Sequence, residues 1–377
     1  MSALYLHIPF CRRLCGYCDF FKSVKHDRMA ELFAAMMVEL ESERVMLSSN
    51  KLRTIYFGGG TPSLMSADQV TQFMERIAAL YDVSGVEEVT FEANPDDITP
   101  EYLRALRSVG INRLSLGVQS FDDATLRFMN RRHDAAQAVQ AIQWAREAGF
   151  GNIAIDLIFG VSGFGGDVLK RSLEQAIALN VEHIAAYHLT IEPGTEFARR
   201  VSRGDFAPVA ESVSEEEYEL VRRMLSEEGG FDHYEISNYA KDGHRSLHNS
   251  SYWSGSEYLG IGAGAHSFFA KNNIRRWACD SIDEYLCGER YGSENLTLDD
   301  RRNEVIMTSL RRKEGINILN FGEVFGVEQQ HKLLADAGCA LECGDLLLES
   351  IDGVDWLRIP SERFLRSDMV IEQLFNI

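Results

Sequence analysis

The sequence predicts an α/β fold, a partial or full (β/α) barrel followed by a small, winged-helix-like α+β C-terminal domain. Short β-rich runs alternate with amphipathic helical stretches over most of the chain, which is typical of right-handed βαβ units and a parallel sheet. Six such units in succession favour a barrel over a Rossmann fold. Near residue 290 the pattern changes to short helices and late strands, so we predict domains over residues 1–290 and 291–377.

Each barrel strand is predicted where a short apolar or β-branched run is bounded by turn residues, and each helix where apolar residues recur every three or four positions. The predicted strands are Leu4–His7, Thr54–Phe57, Glu88–Glu92, Arg113–Val118, Asn152–Leu157 and His183–Thr190. The predicted helices are Asp27–Leu47, Ala67–Tyr81, Pro100–Val109, Ala135–Ala148 and Asp167–Leu179. An acidic helix with solvated glutamates is predicted over Ser214–Glu228, and late strands over Leu346–Leu348 and Trp356–Ile359.

Charge and hydropathy exclude several classes of protein. The 377 residues carry 38 basic and 57 acidic side chains, and 38 minus 57 gives a net charge of −19. Such a chain repels phosphate backbones, so we expect no nucleic-acid partner. No apolar run is long enough to span a bilayer and no secretory signal is evident, so the cytoplasm is the expected location.

Three of the seven cysteines, Cys11, Cys15 and Cys18, fall within eight residues. In a reducing compartment such a cluster indicates metal binding rather than disulfides. Three thiolates in one loop can each bind one iron of a cubane cluster and leave the fourth iron open. The alternative is a structural zinc loop, although zinc normally takes four ligands. The remaining cysteines are expected to be structural or surface thiols: Cys279, Cys287, Cys339 and Cys343.

Unusual residues follow several predicted strands, at the barrel end where chemistry collects. Phe57-Gly58-Gly59-Gly60-Thr61-Pro62 follows the second strand, and glycines there let a ligand approach the backbone closely. Glu92 ends the third strand and is placed to bind hydroxyl or ammonium groups. A plain tight turn and a solvated strand end are the alternatives for these two features.

The spacing C-x3-C-x2-C, with Tyr17 just before the last cysteine, resembles the radical S-adenosylmethionine (SAM) signature. His7-Ile-Pro-Phe-Cys11 and Cys18-Asp-Phe narrow the resemblance to the oxygen-independent coproporphyrinogen dehydrogenase (HemN) family, and to its haem-chaperone (HemW) branch. The resemblance implies a radical-SAM barrel and a [4Fe–4S] cluster on Cys11, Cys15 and Cys18. It also implies SAM bound at the open iron.

Matching the motifs residue by residue implies a set of cofactor or substrate-pocket residues but assigns no catalytic residue. The set is Tyr5, Tyr17, Gly59, Gly60, Thr61, Glu92, Gln119, Arg131 and Asp156. Arg131 lies in what is predicted to be a helical region. One departure from the family follows Asp156: the proline of the usual turn is absent from residues 160–166, which predicts a more flexible loop.

A second block carries His248-Asn249-Ser250-Ser251-Tyr252-Trp253. Histidine with nearby aromatic residues is able to supply an axial imidazole and flat walls for a porphyrin, whereas the alternative is a polar loop capped by a packed Tyr–Trp pair. The block matches the HN-x2-YW motif of the haem chaperones, which makes His248 the predicted haem ligand. His266, in the following glycine-rich segment, is the competing candidate.

Two functions follow from the resemblance and stay open here. The first is a haem chaperone that binds haem and delivers it to respiratory haemoproteins, reduced by a flavodoxin- or ferredoxin-like partner. The second is the oxidative decarboxylation of coproporphyrinogen III to protoporphyrinogen IX in porphyrin biosynthesis. Dehydrogenases of the family carry a fourth cysteine where this chain has Phe20, and this difference favours the chaperone. A radical methyltransferase or a haem-degrading relative is a third, weaker alternative.

Overall fold

The structure, a computed structural model, describes residues 1–288 and 290–376. Its first six strands are separated by helices, as predicted. They are β1 (Ser2–Ile8), β2 (Leu52–Gly59), β3 (Glu88–Ala93), β4 (Arg113–Gln119), β5 (Ile153–Phe159) and β6 (His183–His188). All six pair in parallel in chain order, so their carboxyl ends lie at one edge of the sheet.

Five of the helices named below begin at a residue whose side chain caps them: α2, α3, α4, α5 and α7. Ser66 and Asp134 each form a capping box with a glutamine three residues later. The helices are α1 (Met29–Glu43), α2 (Ala67–Leu80), α3 (Pro100–Ser108), α4 (Asp123–Phe128), α5 (Ala135–Glu147), α6 (Asp167–Ala178), α7 (Glu196–Ser202) and α8 (Glu211–Arg222). The sequence did not predict α4 or α7, because helices of two turns or less show little periodicity.

Further strands extend the sheet on both sides. They are β7 (Asp232–Glu235), β8 (Asn238–Ala240), β9 (Tyr258–Ile261), β10 (His266–Phe269), β11 (Ile274–Ala278) and β12 (Tyr291–Asn295). The twelve strands run in the order β12-β11-β10-β9-β1-β2-β3-β4-β5-β6-β8-β7. Since β1 pairs with β9 and β6 pairs with β8, the sheet forms an open, partial barrel. Helix α9 (Leu247–Trp253) connects β8 to β9.

The C-terminal region is a smaller α+β arrangement. Its elements are α10 (Ile282–Cys287), α11 (Leu298–Leu310), β13 (Ile316–Asn317), α12 (Ile318–Phe325), α13 (Val327–Asp336), α14 (Gly338–Cys343), β14 (Leu347–Ile351), β15 (Val354–Arg358) and α15 (Ser367–Glu372). The strands form an antiparallel sheet in the order β13-β15-β14. Strand β12 pairs with the large sheet although it lies beyond residue 290, and the predicted domain boundary stays a prediction.

Alternation along the strands separates the core from the cavity inside the barrel. In β4, Leu114, Leu116 and Val118 are fully buried in the hydrophobic core. Their neighbours Arg113 and Ser115 face the cavity, as period-two alternation requires. Among the described residues no helix is both long and apolar enough to cross a membrane.

Candidate functional site

A cavity of about 420 Å³ extends from the cysteine loop into the barrel. This volume lies within the range of small-molecule sites, about 300–1,000 Å³. The cavity brings together eleven of the residues predicted from the sequence. These are Cys11, Cys15, Tyr17, Cys18, Gly59, Gly60, Thr61, Glu92, Gln119, Arg131 and Asp156.

The cysteine loop, residues 11–22, is fixed by contacts to its main chain. The Gly16 amide donates to the Met129 carbonyl at 3.1 Å, and the Gly16 carbonyl accepts from the Phe197 amide at 2.9 Å. A Cβ atom on Gly16 would lie 2.6 Å from the Phe197 ring, so only glycine fits this contact without a shift. The Asn130 side chain donates to the Leu14 carbonyl at 2.7 Å. The loop therefore has a defined shape set by α7 and by the segment after α4.

The three thiols differ in their surroundings. Cys11 is buried and accepts a hydrogen bond from the Thr61 hydroxyl at 3.4 Å, and burial raises its pKa to about 11. Cys15 is partly exposed, with its sulfur 3.3 Å from an Arg131 nitrogen. Within residues 1–288 and 290–376 no three His, Cys, Asp or Glu side chains are already gathered around a single metal position. The thiols instead share one wall of the cavity.

The glycine turn after β2 packs against the segment that leads into the cysteine loop. A Cβ atom on Gly60 would lie 2.8 Å from the Ile8 carbonyl oxygen and 2.9 Å from that of Phe10. The Gly60 amide donates to the same Ile8 carbonyl at 2.9 Å. Glycine is therefore needed for close packing of two backbones, in addition to the access for a ligand that the sequence predicted.

Two half-buried carboxylates, those of Glu92 and Asp156, line the cavity. Burial raises the pKa of Glu92 to about 7, against the hydrogen bond that its carboxylate accepts from the Tyr56 hydroxyl at 2.7 Å. Burial also raises the pKa of Asp156 to about 6, although Arg113 and Arg131 oppose the shift. The ionised form of each group is destabilised by its surroundings. A ligand that carries positive charge would stabilise both ionised forms, and this favours its binding here.

Gln119 ends β4 in the left-handed region, with φ of 67°. A residue with a Cβ atom rarely adopts this conformation, and such strain is concentrated at functional sites. The register of β4 against β5 shifts between Leu116 and Gln119, which turns the Gln119 side chain into the cavity. No motif in the sequence predicted this bulge.

Arg131 lies in the loop between α4 and α5 and not in a helix, which corrects the sequence prediction. Its guanidinium donates to the Asn94 side chain at 2.7 Å, to the Gly117 carbonyl and toward Cys15. Arg131 thus links the residue after β3, strand β4 and the cysteine loop. An extended loop lets the side chain reach all three partners.

Tyr5 and His248 lie outside the group of predicted residues that the cavity brings together. The residues that line the described cavity include neither of them. His248 is buried, and its ring lies 4.8 Å from that of Tyr56 and 6.3 Å from that of Tyr5. One ring nitrogen of His248 bonds the Thr54 hydroxyl at 2.8 Å and the other bonds the Tyr252 hydroxyl at 2.8 Å. In this conformation neither nitrogen is available to an iron.

Several further residues that line the cavity were not predicted from the sequence as site residues. They are Tyr56, Arg113, His183, Ala185, Tyr187 and Asn238. Arg113 and His183 begin their strands, whereas the barrel rule directs attention to strand ends. Polar residues at alternate positions of apolar strands were the available clue.

Glu217 corrects the prediction that the glutamates of the acidic helix face solvent. It is buried in α8, and its carboxylate accepts a hydrogen bond from the Gly160 amide at 2.8 Å. A Cβ atom on Gly165 would collide with the same carboxylate. The helix therefore holds the loop in which the family's proline is missing.

The remaining cysteines lie outside the cavity. Cys279 is partly buried, and Cys287, Cys339 and Cys343 are exposed. His266, the competing haem ligand, is exposed at the start of β10, with its ring 6.5 Å from that of Trp277.

Comparisons with known proteins agree with this architecture. The profile of the Radical SAM superfamily matches residues 5–176. The chain is 36% identical over 328 residues to the heme chaperone HemW of Lactococcus lactis subsp. lactis (strain IL1403), which covers 86% of this chain and 85% of that protein. It is 35% identical over 334 residues to the heme chaperone HemW of Bacillus subtilis (strain 168), and the match covers 86% of this chain and 87% of that protein. The structure of coproporphyrinogen III oxidase (HemN) from Escherichia coli superposes with a TM-score of 0.84 at 20% identity, covering 100% of this chain and 90% of that chain.

Proposed function

Because the chain belongs to the family of radical SAM proteins represented by the heme chaperones HemW, we propose that it binds haem and delivers it to respiratory haemoproteins in the cytoplasm. The observation that carries the proposal is the extent of the similarity, which includes both the barrel and the HN-x2-YW segment. The structural likeness to HemN supports the fold alone.

Membership of this family implies a [4Fe–4S] cluster and SAM. The donors present fit such a cluster, because three thiols face one cavity and no fourth protein ligand is needed when one iron stays open. We assign Cys11, Cys15 and Cys18 as the ligands. When bound, the cluster and SAM supply one-electron chemistry.

The cluster assignment is tested by iron and sulfide content after anaerobic reconstitution. We expect about four irons and four sulfides per chain. Alanine at Cys11, Cys15 or Cys18 should abolish this content, whereas Cys287→Ala, an exposed thiol, serves as the matched control. A folded wild type that takes up zinc but no iron would show that the assignment is wrong.

The two carboxylates support SAM as the ligand of the deeper cavity. SAM carries a sulfonium and an ammonium group, and these charges complement Glu92 and Asp156. The Glu92 carboxylate also accepts from the Gly59 amide at 3.1 Å, so its position is fixed before a ligand binds. We propose that Gly59, Gly60, Thr61, Gln119, Arg131 and Tyr17 complete this site.

His248 must break two hydrogen bonds, to Thr54 and Tyr252, before it can ligate iron. Burial lowers the pKa of His248 to about 3, so the ring is neutral, as ligation requires. His266 is exposed beside Trp277 and needs no such rearrangement. We therefore propose that haem binds next to the HN-x2-YW helix through one of these two imidazoles.

Haem titration of His248→Ala, His266→Ala and the double variant distinguishes the two ligands. Removing the histidine that ligates the haem iron should shift or abolish the Soret band, whereas the iron–sulfur content should stay unchanged. The haem-loaded wild type should also transfer its haem to an apo-cytochrome. An unchanged spectrum in the double variant would exclude both residues.

Coproporphyrinogen dehydrogenase activity is a second candidate, and it is supported by the cavity, because the pocket residues implied by the resemblance, apart from Tyr5, line it together. The reduced, reconstituted protein should then convert coproporphyrinogen III to protoporphyrinogen IX with formation of 5′-deoxyadenosine. Conversion without specific haem binding would replace the chaperone proposal.

A further inference from the structure

Two nitrogen-bearing side chains of the cavity belong to residues at the starts of barrel strands. Arg113 is the first residue of β4 and His183 is the first residue of β6. Each residue is 2% exposed, and both line the cavity. The cysteine loop follows the carboxyl end of β1, and β1 to β6 pair in parallel, so the two residues lie toward the other end of the barrel. We name them the strand-start pair (Arg113 and His183).

Arg113 has few partners for its guanidinium group. A guanidinium offers five N–H donors. Among the described residues, the one side-chain hydrogen bond of Arg113 runs to the Thr90 hydroxyl at 3.5 Å, and Nε has no partner. A buried cation without close hydrogen bonds or a paired anion is costly. An anionic group that reaches Arg113 is therefore stabilised there.

The nearest carboxylate is already used by other donors. The Glu88 carboxylate lies 4.0 Å from the Arg113 Nε, and within the described ranges it is the one acidic group at that distance or closer. It accepts hydrogen bonds from the amides of Leu247 and His248, at 2.9 and 3.0 Å. Glu88 thus holds the first turn of α9 and only partly compensates the charge of Arg113.

Two further carboxylates, those of Glu92 and Asp156, share the cavity with Arg113. Burial raises the pKa of Glu92 to about 7 and that of Asp156 to about 6, so partial protonation weakens both as counter-ions. They are also the groups proposed to face the positive charges of SAM. When SAM is bound, Arg113 is left with little compensation from either of them.

His183 is placed to donate a hydrogen bond. Its Nε2 lies 2.8 Å from the Tyr234 hydroxyl, which accepts from the Ser246 amide at 3.3 Å. Among the described residues the hydroxyl hydrogen of Tyr234 has no acceptor other than His183, so Tyr234 donates to Nε2. Burial lowers the pKa of His183 well below its ordinary value, which keeps the ring neutral and leaves its hydrogen on Nδ1. Nδ1 has no partner in the described part of the chain.

We propose that the strand-start pair binds a carboxylate group of the delivered ligand, namely a propionate side chain of haem. The inference rests on the proposed function, because it takes haem as the ligand. A guanidinium pairs with a carboxylate through two parallel hydrogen bonds, and the Nδ1–H of His183 supplies a further donor. SAM, in contrast, is proposed to bind at the open iron beside the cysteine loop, toward the other end of the strands.

The pair lies close to the helix that carries the HN-x2-YW motif. Glu88 connects Arg113 to the first turn of α9, and Asn249 of the same helix lines the cavity. Helix α9 is thus part of the cavity wall and also the helix beside which haem is proposed to bind. A haem next to α9 therefore has the pair within the cavity that this helix helps to enclose.

Binding of haem and of haem dimethyl ester to the reconstituted protein tests the proposal. The ester keeps the iron and the macrocycle but lacks both ionised carboxylates. The wild type should bind haem about tenfold more tightly than the ester, titrated at the same detergent concentration, because a hydrogen bond to a charged group is lost. The wild-type comparison needs no variant, so it tests the proposal even where a variant fails to fold.

Variants then locate the carboxylate site. Arg113→Gln should weaken haem binding about tenfold, leave binding of the ester unchanged and so abolish the preference. His183→Phe should reduce the preference about threefold, because one neutral donor is removed. The Soret position of bound haem should stay that of the wild type in both variants, since neither residue is a proposed iron ligand.

Arg302→Gln is the matched control for a buried arginine. Arg302 lies in α11, is 1% exposed and also has guanidinium nitrogens without a partner among the described residues. It is absent from the residues that line the described cavity. The control should keep the wild-type preference for haem over the ester.

The outcomes separate this inference from the proposed function. If the wild type binds haem and the ester equally, the propionate site is wrong and the haem chaperone proposal stands. If Arg113→Gln keeps the preference, another group holds the propionate and the assignment is wrong. If Arg113→Gln loses SAM affinity in calorimetry while the preference stays, the pair binds SAM and the proposal is overturned. If the wild type binds no haem, both proposals fall.

Discussion

At the scale of single residues, Glu92 lies inside the barrel between the Tyr56 hydroxyl and the Gly59 amide. Its pKa rises from 4.5 to about 7, mainly through burial. The folded chain thus keeps a proton between these pH values that the unfolded chain has lost. Stability falls as pH rises through this window, by on the order of 2 kcal/mol for Glu92.

Glu92→Gln should therefore stabilise the unliganded protein relative to wild type at about pH 8, and much less near pH 4.5, in urea denaturation monitored by circular dichroism. The same variant should bind SAM roughly 1.5–3 kcal/mol more weakly, by calorimetry, because a hydrogen bond to a charged group is lost. Equal stability changes at both pH values would contradict the burial of an ionised carboxylate.

Gln119 allows strain to be separated from ligand contact. Its φ of 67° costs roughly 1 kcal/mol or more for a residue with a Cβ atom, and glycine avoids this cost. We expect Gln119→Gly to be at least as stable as Gln119→Ala, and both variants to bind SAM more weakly than wild type. Thermal unfolding and calorimetry provide the two measurements. An alanine variant more stable than the glycine variant would argue against strain.

At the scale of elements, the contact between Gly16 and helix α7 fixes the cysteine loop. Phe197 is buried in a cluster with Met129, Val161, Leu189 and Phe206. Arg200 lies over the Phe128 ring of the same cluster, with its guanidinium carbon 4.5 Å from the ring centroid. The loop is thus held by an aromatic cluster whose members all lie outside the loop's cysteines.

Gly16→Ala should displace the Phe197 ring and reduce iron incorporation, because the added Cβ atom would lie 2.6 Å from it. Phe197→Ala in the same chain should restore part of the iron content by making space. Gly151→Ala is the control, since no atom lies within 4 Å of its added Cβ among the described residues. Full iron content in Gly16→Ala would show that the loop adapts.

At the scale of the whole molecule, Glu39 of α1 connects distant parts of the chain. Its buried carboxylate accepts from the Gly262 amide at 2.9 Å and from the Tyr285 and Tyr291 hydroxyls. Burial raises the pKa of Glu39. Helix α1, the glycine-rich turn after β9 and strand β12 are thereby joined at one group.

Glu39→Ala should lower the free energy of unfolding by about 3 kcal/mol, because three donors, of which the Gly262 amide and the Tyr285 hydroxyl are buried, lose their acceptor. Glu41→Ala, two residues along the same helix, is the matched control. Its carboxylate forms a surface ion pair with Arg76, which contributes about 1 kcal/mol at most. Urea denaturation at neutral pH measures the free energy of unfolding of both variants. Similar decreases in the two would show that Glu39 does not stabilise the connection between these parts of the chain.

The sequence predicted the ends of the first six barrel strands to within about two residues, because β-rich runs between turn residues are local features. The floor of the cavity was not predicted, since the position of Arg113 in the interior depends on closure of the sheet. The hydrogen bond between His248 and Tyr252 could have been predicted from the sequence. Residues four apart on a helix lie on the same face, so the spacing of the motif places the two side chains next to each other.

Most contacts that hold the cysteine loop end on its amides and carbonyls, not on its side chains. Besides Gly16 and Leu14, the Cys11 carbonyl bonds His26 at 3.1 Å, and the Cys18 carbonyl accepts from Lys22. We therefore expect substitutions at outward positions without such partners to leave the loop conformation intact. A randomised library at residues 13, 14, 19 and 20 should accordingly yield many folded proteins, so the outward side chains of the loop can be changed without loss of the scaffold.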